Sequence, residues 1–163
     1  MRGILAVLLP STADNTIRGM KLPFYVFEAV AILSLARSCI HLFAPDGGAG
    51  SIAGMVLPNA GVDGVVFAFA LWGSAQFVYA VIQLVAAFRY RSLVPLLWLL
   101  VIVEILLRLL VGHMKPVSFV HTPPGAIGNF VLLPLAALML ALSLWSGGKT
   151  RIAEPAPARR VTG

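Results

Sequence analysis

Glu104 and Arg108 lie four residues apart within residues 93–111, a run that is otherwise free of charge. On a helix this spacing puts both on one face, with the acid N-terminal to the base, the better order for an i,i+4 ion pair. A charge at the centre of a membrane costs about 2.5–3.5 kcal/mol on insertion scales, so it faces protein, water or a ligand rather than lipid. Arg37 lies in an earlier apolar run, with His41 one turn further on the same face. No acidic residue stands at helical spacing from Arg37, because Glu28 is nine residues back, about 180° round a helix. Gly73, Gln76, Tyr79 and Gln83 form a polar stripe on a third run. Guanidiniums with one carboxylate and amides suit anion recognition. A carboxylate at that depth also suits proton exchange.

Each of these residues has a plain structural alternative. Glu104 and Arg108 can neutralise each other and fix bundle register. Arg37 can reach Glu104, extend its head toward an interface, or hold a ligand. The Gln76, Tyr79 and Gln83 stripe can hydrogen-bond between helices, with Gly73 letting backbones approach. Glu28 can pair with Lys21 or with the Arg89 and Arg91 turn. Counted together, Arg37, Arg108 and Glu104 leave one unbalanced positive charge, and that surplus is what an anionic lipid head or carboxylate would complete.

The elements that position these residues are membrane helices. The chain has 163 residues, 60% hydrophobic and 11% charged, and its apolar residues come in blocks. Crossing about 30 Å of hydrocarbon takes roughly 20 helical residues. Residues 22–44, 62–88, 93–111 and 126–145 are the expected spans. The fold expected is all-α, a four-transmembrane-helix bundle over residues 22–146. An interfacial N-terminal segment (1–21) precedes it and a disordered Ala/Pro-rich tail (147–163) follows. Pro23 and Pro95 fall in first turns, where a missing N–H costs little. Pro134 lies inside the fourth span and predicts a kink. Arg89-Tyr-Arg-Ser is a tight turn, which predicts that the second and third spans pack as an antiparallel hairpin.

The net charge of +6 is a topology signal. Arg2, Arg18, Lys21, Arg89, Arg91, Lys149, Arg151, Arg159 and Arg160 fall on one side of the spans, and only Lys115 on the other. The positive-inside rule then puts both termini in the cytoplasm. Residues 1–13 loosely resemble a signal peptide, but cleavage would leave Arg18 and Lys21 on the outer face, against that rule. On this orientation Glu104 is near mid-membrane and Arg108 about 6 Å further out. Nucleic acid is not an expected partner, since no aromatic and basic platform accompanies the charge. Membrane lipids are. Small residues four apart, Ser34 and Ser38, Ala137 and Ala141, permit close packing within the bundle or between copies.

Cys39 is the single cysteine, which excludes an intramolecular disulfide and CxxC redox chemistry. His41 and His113 at similar depth raise the idea of a haem, but one histidine per span is thin support. No ligand spacing supports a metal site with His121. Neither a cofactor nor a metal is expected. No P-loop, HExxH or GxSxG pattern occurs.

The segment Phe88-Arg-Tyr-Arg-Ser-Leu-Val-Pro, with Glu104-x-x-x-Arg108, Gly112-His-Met-Lys-Pro and His121-Thr-Pro-Pro-Gly-Ala-Ile-Gly-Asn129, resembles a family of small four-helix bacterial integral membrane proteins. The resemblance covers roughly residues 20–146 and implies the four-helix fold and a bacterial inner-membrane setting. It implies no activity, since none is assigned to that family.

The leading expectation is a non-enzymatic membrane protein whose Arg37, His41, Gln76, Glu104 and Arg108 bind an anionic lipid or lipophilic metabolite, with Glu28, Tyr79, Gln83 and His113 as secondary residues. The alternatives are a small transporter or proton-coupled carrier using Glu104, and a lipid-modifying enzyme with His41, His113 or His121 as base.

Overall fold

The computed structural model describes residues 2–17, 19–57 and 60–145, so Arg18 and the tail 147–163 lie outside it. The fold is all-helical: α1 (Arg2–Leu8), α2 (Leu22–Phe43), α3 (Val62–Arg89), α4 (Val94–Met114) and α5 (Pro124–Leu144), with one 3-10 turn, Arg91–Leu93, before α4. Helices α2 to α5 are long and apolar enough to cross a membrane. In hydrocarbon each backbone N–H and C=O must be satisfied within the segment, which an uninterrupted helix does. Proline punctuates the starts of α2, α4 and α5 in the first turn. Gly61, at φ +85°, turns the chain into α3, whose first turn carries Asp63. α5 runs through Pro134 as one helix.

α2 and α3 form one closely packed pair, and α4 and α5 a second, with α2 also touching α4 and α5. At Gly73 the pairing of α2 and α3 has no room for a side chain, because a Cβ there would fall 2.7 Å from the carbonyl carbon of His41. The hairpin expected of the second and third spans is not what forms: α3 and α4 touch little along their length. A short turn fixes only where two helices meet. Which faces then pack is decided by side chains. α4 presents Leu97, Trp98, Val101 and Ile105 to α2 and to Ala136 and Met139 of α5, while α3 reaches that core with Ala86 and Ala87 near its end.

The core is concentrated toward the chain-termini end. Trp98 and Phe27 are fully buried and meet edge to face at 5.2 Å. The Trp98 indole N–H donates to the Pro23 carbonyl at 3.2 Å, so the ring is buried without an orphan donor. At the same end Arg91 donates to Glu28 at 3.4 Å and through Nε to the Ala87 carbonyl at 3.1 Å. Of the partners expected for Glu28, the turn therefore takes it. The N-terminal segment is stitched to this end as well. Ser92 Oγ donates to the Asp14 carbonyl at 2.9 Å, and a Cβ on Gly19 would overlap the Ser143 carbonyl oxygen.

At the opposite end two loops meet. Val120 N–H donates to the Gly54 carbonyl at 2.7 Å, and Met55 and Phe119 form an antiparallel bridge. His121 lies on Gly54 (φ +66°), its Nε2 2.7 Å from where a Cβ would be. In the first loop the Asp46 carboxylate accepts from the backbone N–H of Ser51 (2.6 Å), Gly48 (2.8 Å) and Gly50 (3.1 Å) and from the Ser51 hydroxyl (3.0 Å). The Ser51 N–H foremost, with those of Gly48 and Gly50, holds the Asp46 carboxyl below its ordinary 3.8.

Two predictions follow from this packing. Gly73→Val should destabilise the detergent-solubilised protein by about 1–3 kcal/mol, read as a lowered thermal midpoint, because the α2 backbone cannot yield. Gly112→Val, at a position with nothing within 4 Å, should leave the midpoint in place. The carboxylate of Asp46 is the form that the loop stabilises, so its contribution is complete above 3.8 and lost as pH falls through its lower folded value. Protection of the residue 47–51 amides, taken relative to the intrinsic exchange rate at each pH, should therefore fall only below pH 3.8 in the wild type, and Asp46→Ala should show low protection at neutral pH.

Candidate functional site

The half of the bundle nearer the two loops is built differently. The antiparallel register of α2 and α3, set where Gly73 meets His41, brings Arg37 opposite Gln76 one turn further along. Arg37 Nη2 donates to Gln76 Oε1 at 3.1 Å, and the guanidinium carbon lies 6.0 Å from the centre of the Trp72 ring, at the outer limit for a cation–π contact. That leaves Arg37 Nε and Gln76 Nε2, two N–H donors, buried with no partner among the described residues. An unsatisfied buried polar group costs about 1–3 kcal/mol, more when charged.

Arg108 and Glu104 form the expected ion pair on α4, through Arg108 Nη2 and Glu104 Oε1. The other terminal nitrogen, Nη1, donates to Asn129 Oδ1 of α5 at 3.4 Å. The pair is partly open, with side-chain exposures of 24% for Arg108 and 37% for Glu104, so it does not behave as a sealed internal bridge. Arg37 lies within electrostatic reach of both Arg108 and Glu104. Tyr79 stands beside Gln83 and within reach of Glu104. The carbonyl oxygen of the buried Gln83 amide is a third polar atom without a partner among the described residues. The structure thus gathers Arg37, Gln76, Tyr79, Gln83, Glu104 and Arg108 from three helices.

Arg108 also forms part of a cleft of about 830 Å³ between the end of α4, the start of α5 and residues 119–123. Asn129 and His121 share its wall with Leu109, Phe119 and Phe130. A few convergent polar groups in an otherwise apolar concavity of this size are the usual composition of a ligand site.

The remaining residues singled out from the sequence are placed elsewhere. His41 is buried, its Nδ1 2.8 Å from the Gly47 carbonyl oxygen, and its ring lies 5.0 Å from that of Trp72 and 5.8 Å from that of Phe69. It joins the loop to the helix pair and touches the site through Trp72. His113 is exposed in the last turn of α4. Glu28 is engaged at the far end, as above. Among the described residues no group of three or more His, Cys, Asp or Glu is arranged to hold a metal. Sequence reasoning missed Asn129 and Trp72 as site residues. Asn129 had a readable signal, as the amide side chain at the head of the last apolar run.

The Arg37 and Gln76 pair can be weighed by a double-mutant cycle. Gln76→Leu alone should cost about 1–3 kcal/mol by leaving Arg37 Nη2 without its acceptor. Adding Arg37→Leu should restore or exceed wild-type stability, since the desolvated charge is removed with its partner. Thermal midpoints of the four proteins in one detergent give the coupling. Comparisons of the chain with protein-family models, with curated proteins and with solved structures return no match.

Proposed function

We propose that this multi-pass membrane protein binds the anionic head of a lipid or lipophilic metabolite in the half of the bundle away from its termini. It sits in a bacterial inner membrane with both termini in the cytoplasm, an orientation that the distribution of Lys and Arg about the four spans supports. The site then opens toward the outer leaflet. Arg37 and Arg108 recognise the negative group, Gln76 and Asn129 orient it, and Glu104 sets how much positive charge is free. The chain acts by binding and not by chemistry, and its ligand arrives through the membrane.

The observation that carries this reading is the surplus of donors and charge. Two guanidiniums lie near one carboxylate, which pairs with Arg108, and both Arg37 Nε and Gln76 Nε2 are buried without an acceptor among the described residues. An anion supplies the missing acceptors and the missing negative charge together, and charge-assisted bonds of this kind contribute about 1.5–3 kcal/mol each. The apolar core of Phe24, Phe27, Val94, Leu97 and Trp98 packs the other end of the bundle with large side chains, which favours binding over passage.

The test is lipid analysis of purified protein. Arg37→Gln and Arg108→Gln should each reduce selective co-purification of acidic lipid roughly tenfold or more, from the loss of one charge-assisted bond. Unchanged lipid content in both variants would refute the proposal.

A further inference from the structure

Arg108 is the one residue of the site that holds a protein carboxylate and lines the cleft at the same time. Its Nη2 is engaged by Glu104 and its Nη1 by Asn129, so an anion entering the cleft competes with Glu104 for the same guanidinium. An ionised Glu104 also repels that anion across a few ångströms, in surroundings where charges are poorly screened. Protonating Glu104 removes the repulsion and frees Nη2 in one step.

Resting on the anion-binding reading above, we infer that the site takes up a proton at Glu104 together with its anion. A proton from water adds to the Glu104 carboxylate, the pairing with Arg108 Nη2 is lost, and an oxyanion takes that place. No other bond forms or breaks. With Glu104 ionised the three charged side chains sum to one positive charge, and with Glu104 neutral to two. Because equilibrium coupling is reciprocal, the anion raises proton affinity as much as the proton raises anion affinity.

Every neighbouring element contributes to the balance at Glu104. Arg37 from α2 and Arg108 from α4 itself are the cations nearest to it, and Tyr79 faces it from α3. α5 has no titratable side chain and offers Asn129. The 3-10 turn carries Arg91, which is occupied by Glu28. An anion held by Arg108 in the cleft offsets that guanidinium's charge at Glu104, and this is the physical origin of the proton uptake. His121, in the cleft wall, gains a positive charge when protonated and would by itself strengthen anion binding at low pH, so it has to be separated experimentally. His41 and His113 lie outside that wall.

The experiment uses the full chain in phosphatidylcholine nanodiscs, titrated with phosphatidylglycerol in one arm and sodium sulfate in the other. Both probes keep a constant charge between about pH 5 and pH 8, so any pH dependence belongs to the protein. Wild-type affinity should rise as pH falls, approaching tenfold per pH unit where one proton accompanies one anion. Glu104→Gln, which keeps an acceptor for Arg108, should bind tightly and without pH dependence, while His121→Gln should keep the wild-type slope. Binding in a weakly buffered solution should withdraw close to one proton per anion. Response in the lipid arm alone identifies an amphiphile, and response in both identifies an oxyanion site open to water; either supports the linkage. A pH-independent wild type whose binding is abolished by Arg108→Gln would overturn the linkage and leave the anion site standing. A slope that survives Glu104→Gln, or vanishes in His121→Gln, would also overturn it. Failure of the wild type to bind either probe at any pH would overturn both readings.

Discussion

At Gly73 the backbones of α2 and α3 approach so closely that even a methyl group would collide with the peptide at His41. Helices can meet this closely only where one of them carries no side chain, and association within hydrocarbon depends on such contact because no hydrophobic force drives it. The approach fixes the axial register of the pair. Arg37, one turn from His41, then falls opposite Gln76, one turn from Gly73. A shift of α3 by one turn would take the Gln76 acceptor away from the guanidinium. The polar site is thus a consequence of a packing contact made by a residue that contributes no functional group.

The two halves of the bundle divide the work of stability and recognition. Toward the termini, Trp98, Phe27, Phe24 and their neighbours bury a continuous apolar core, and the ion pair there ties a turn to a helix. Toward the loops, polar atoms outnumber their partners among the described residues. A bundle made wholly of the second kind would carry several uncompensated desolvation costs, each about 1–3 kcal/mol. The packed half offsets them. The exposed faces of α2 to α5, with side chains such as Leu33, Phe67, Leu107 and Phe130, are what a helix turns toward lipid.

How much of this the chain spells out depends on the range of the interaction. The four helices are readable because an apolar block of about 20 residues has few other physical solutions. The Glu104 and Arg108 pair is readable because i,i+4 neighbours meet on any helix. The meeting of Arg37 with Gln76 is only half readable: the sequence shows that each needs a partner, and not which one. The hairpin drawn from the Arg89-Tyr-Arg-Ser turn fails for the same reason. A short connection constrains two chain ends, whereas the partner of a helix face is chosen by complementary shapes distant in sequence, here Gly73 against α2 and Trp98 against Phe27. Asn129 escaped because its place beside Arg108 depends on how α5 packs on α4.

The bridge between Met55 and Phe119, with Val120 bonded to Gly54, has a mechanical meaning. Each of these two loops closes one helix pair, so the bridge is a tie between pairs at the end where the apolar core no longer holds them. The tie limits how far the pairs can spread, and residues 119–123, which carry one side of it, also form a wall of the cleft. One wall of the cleft is therefore anchored by a few backbone hydrogen bonds outside the membrane helices. The polar end of the bundle is thus closed by backbone bonds between loops and the terminal end by packed side chains, so the two ends are held by different kinds of force.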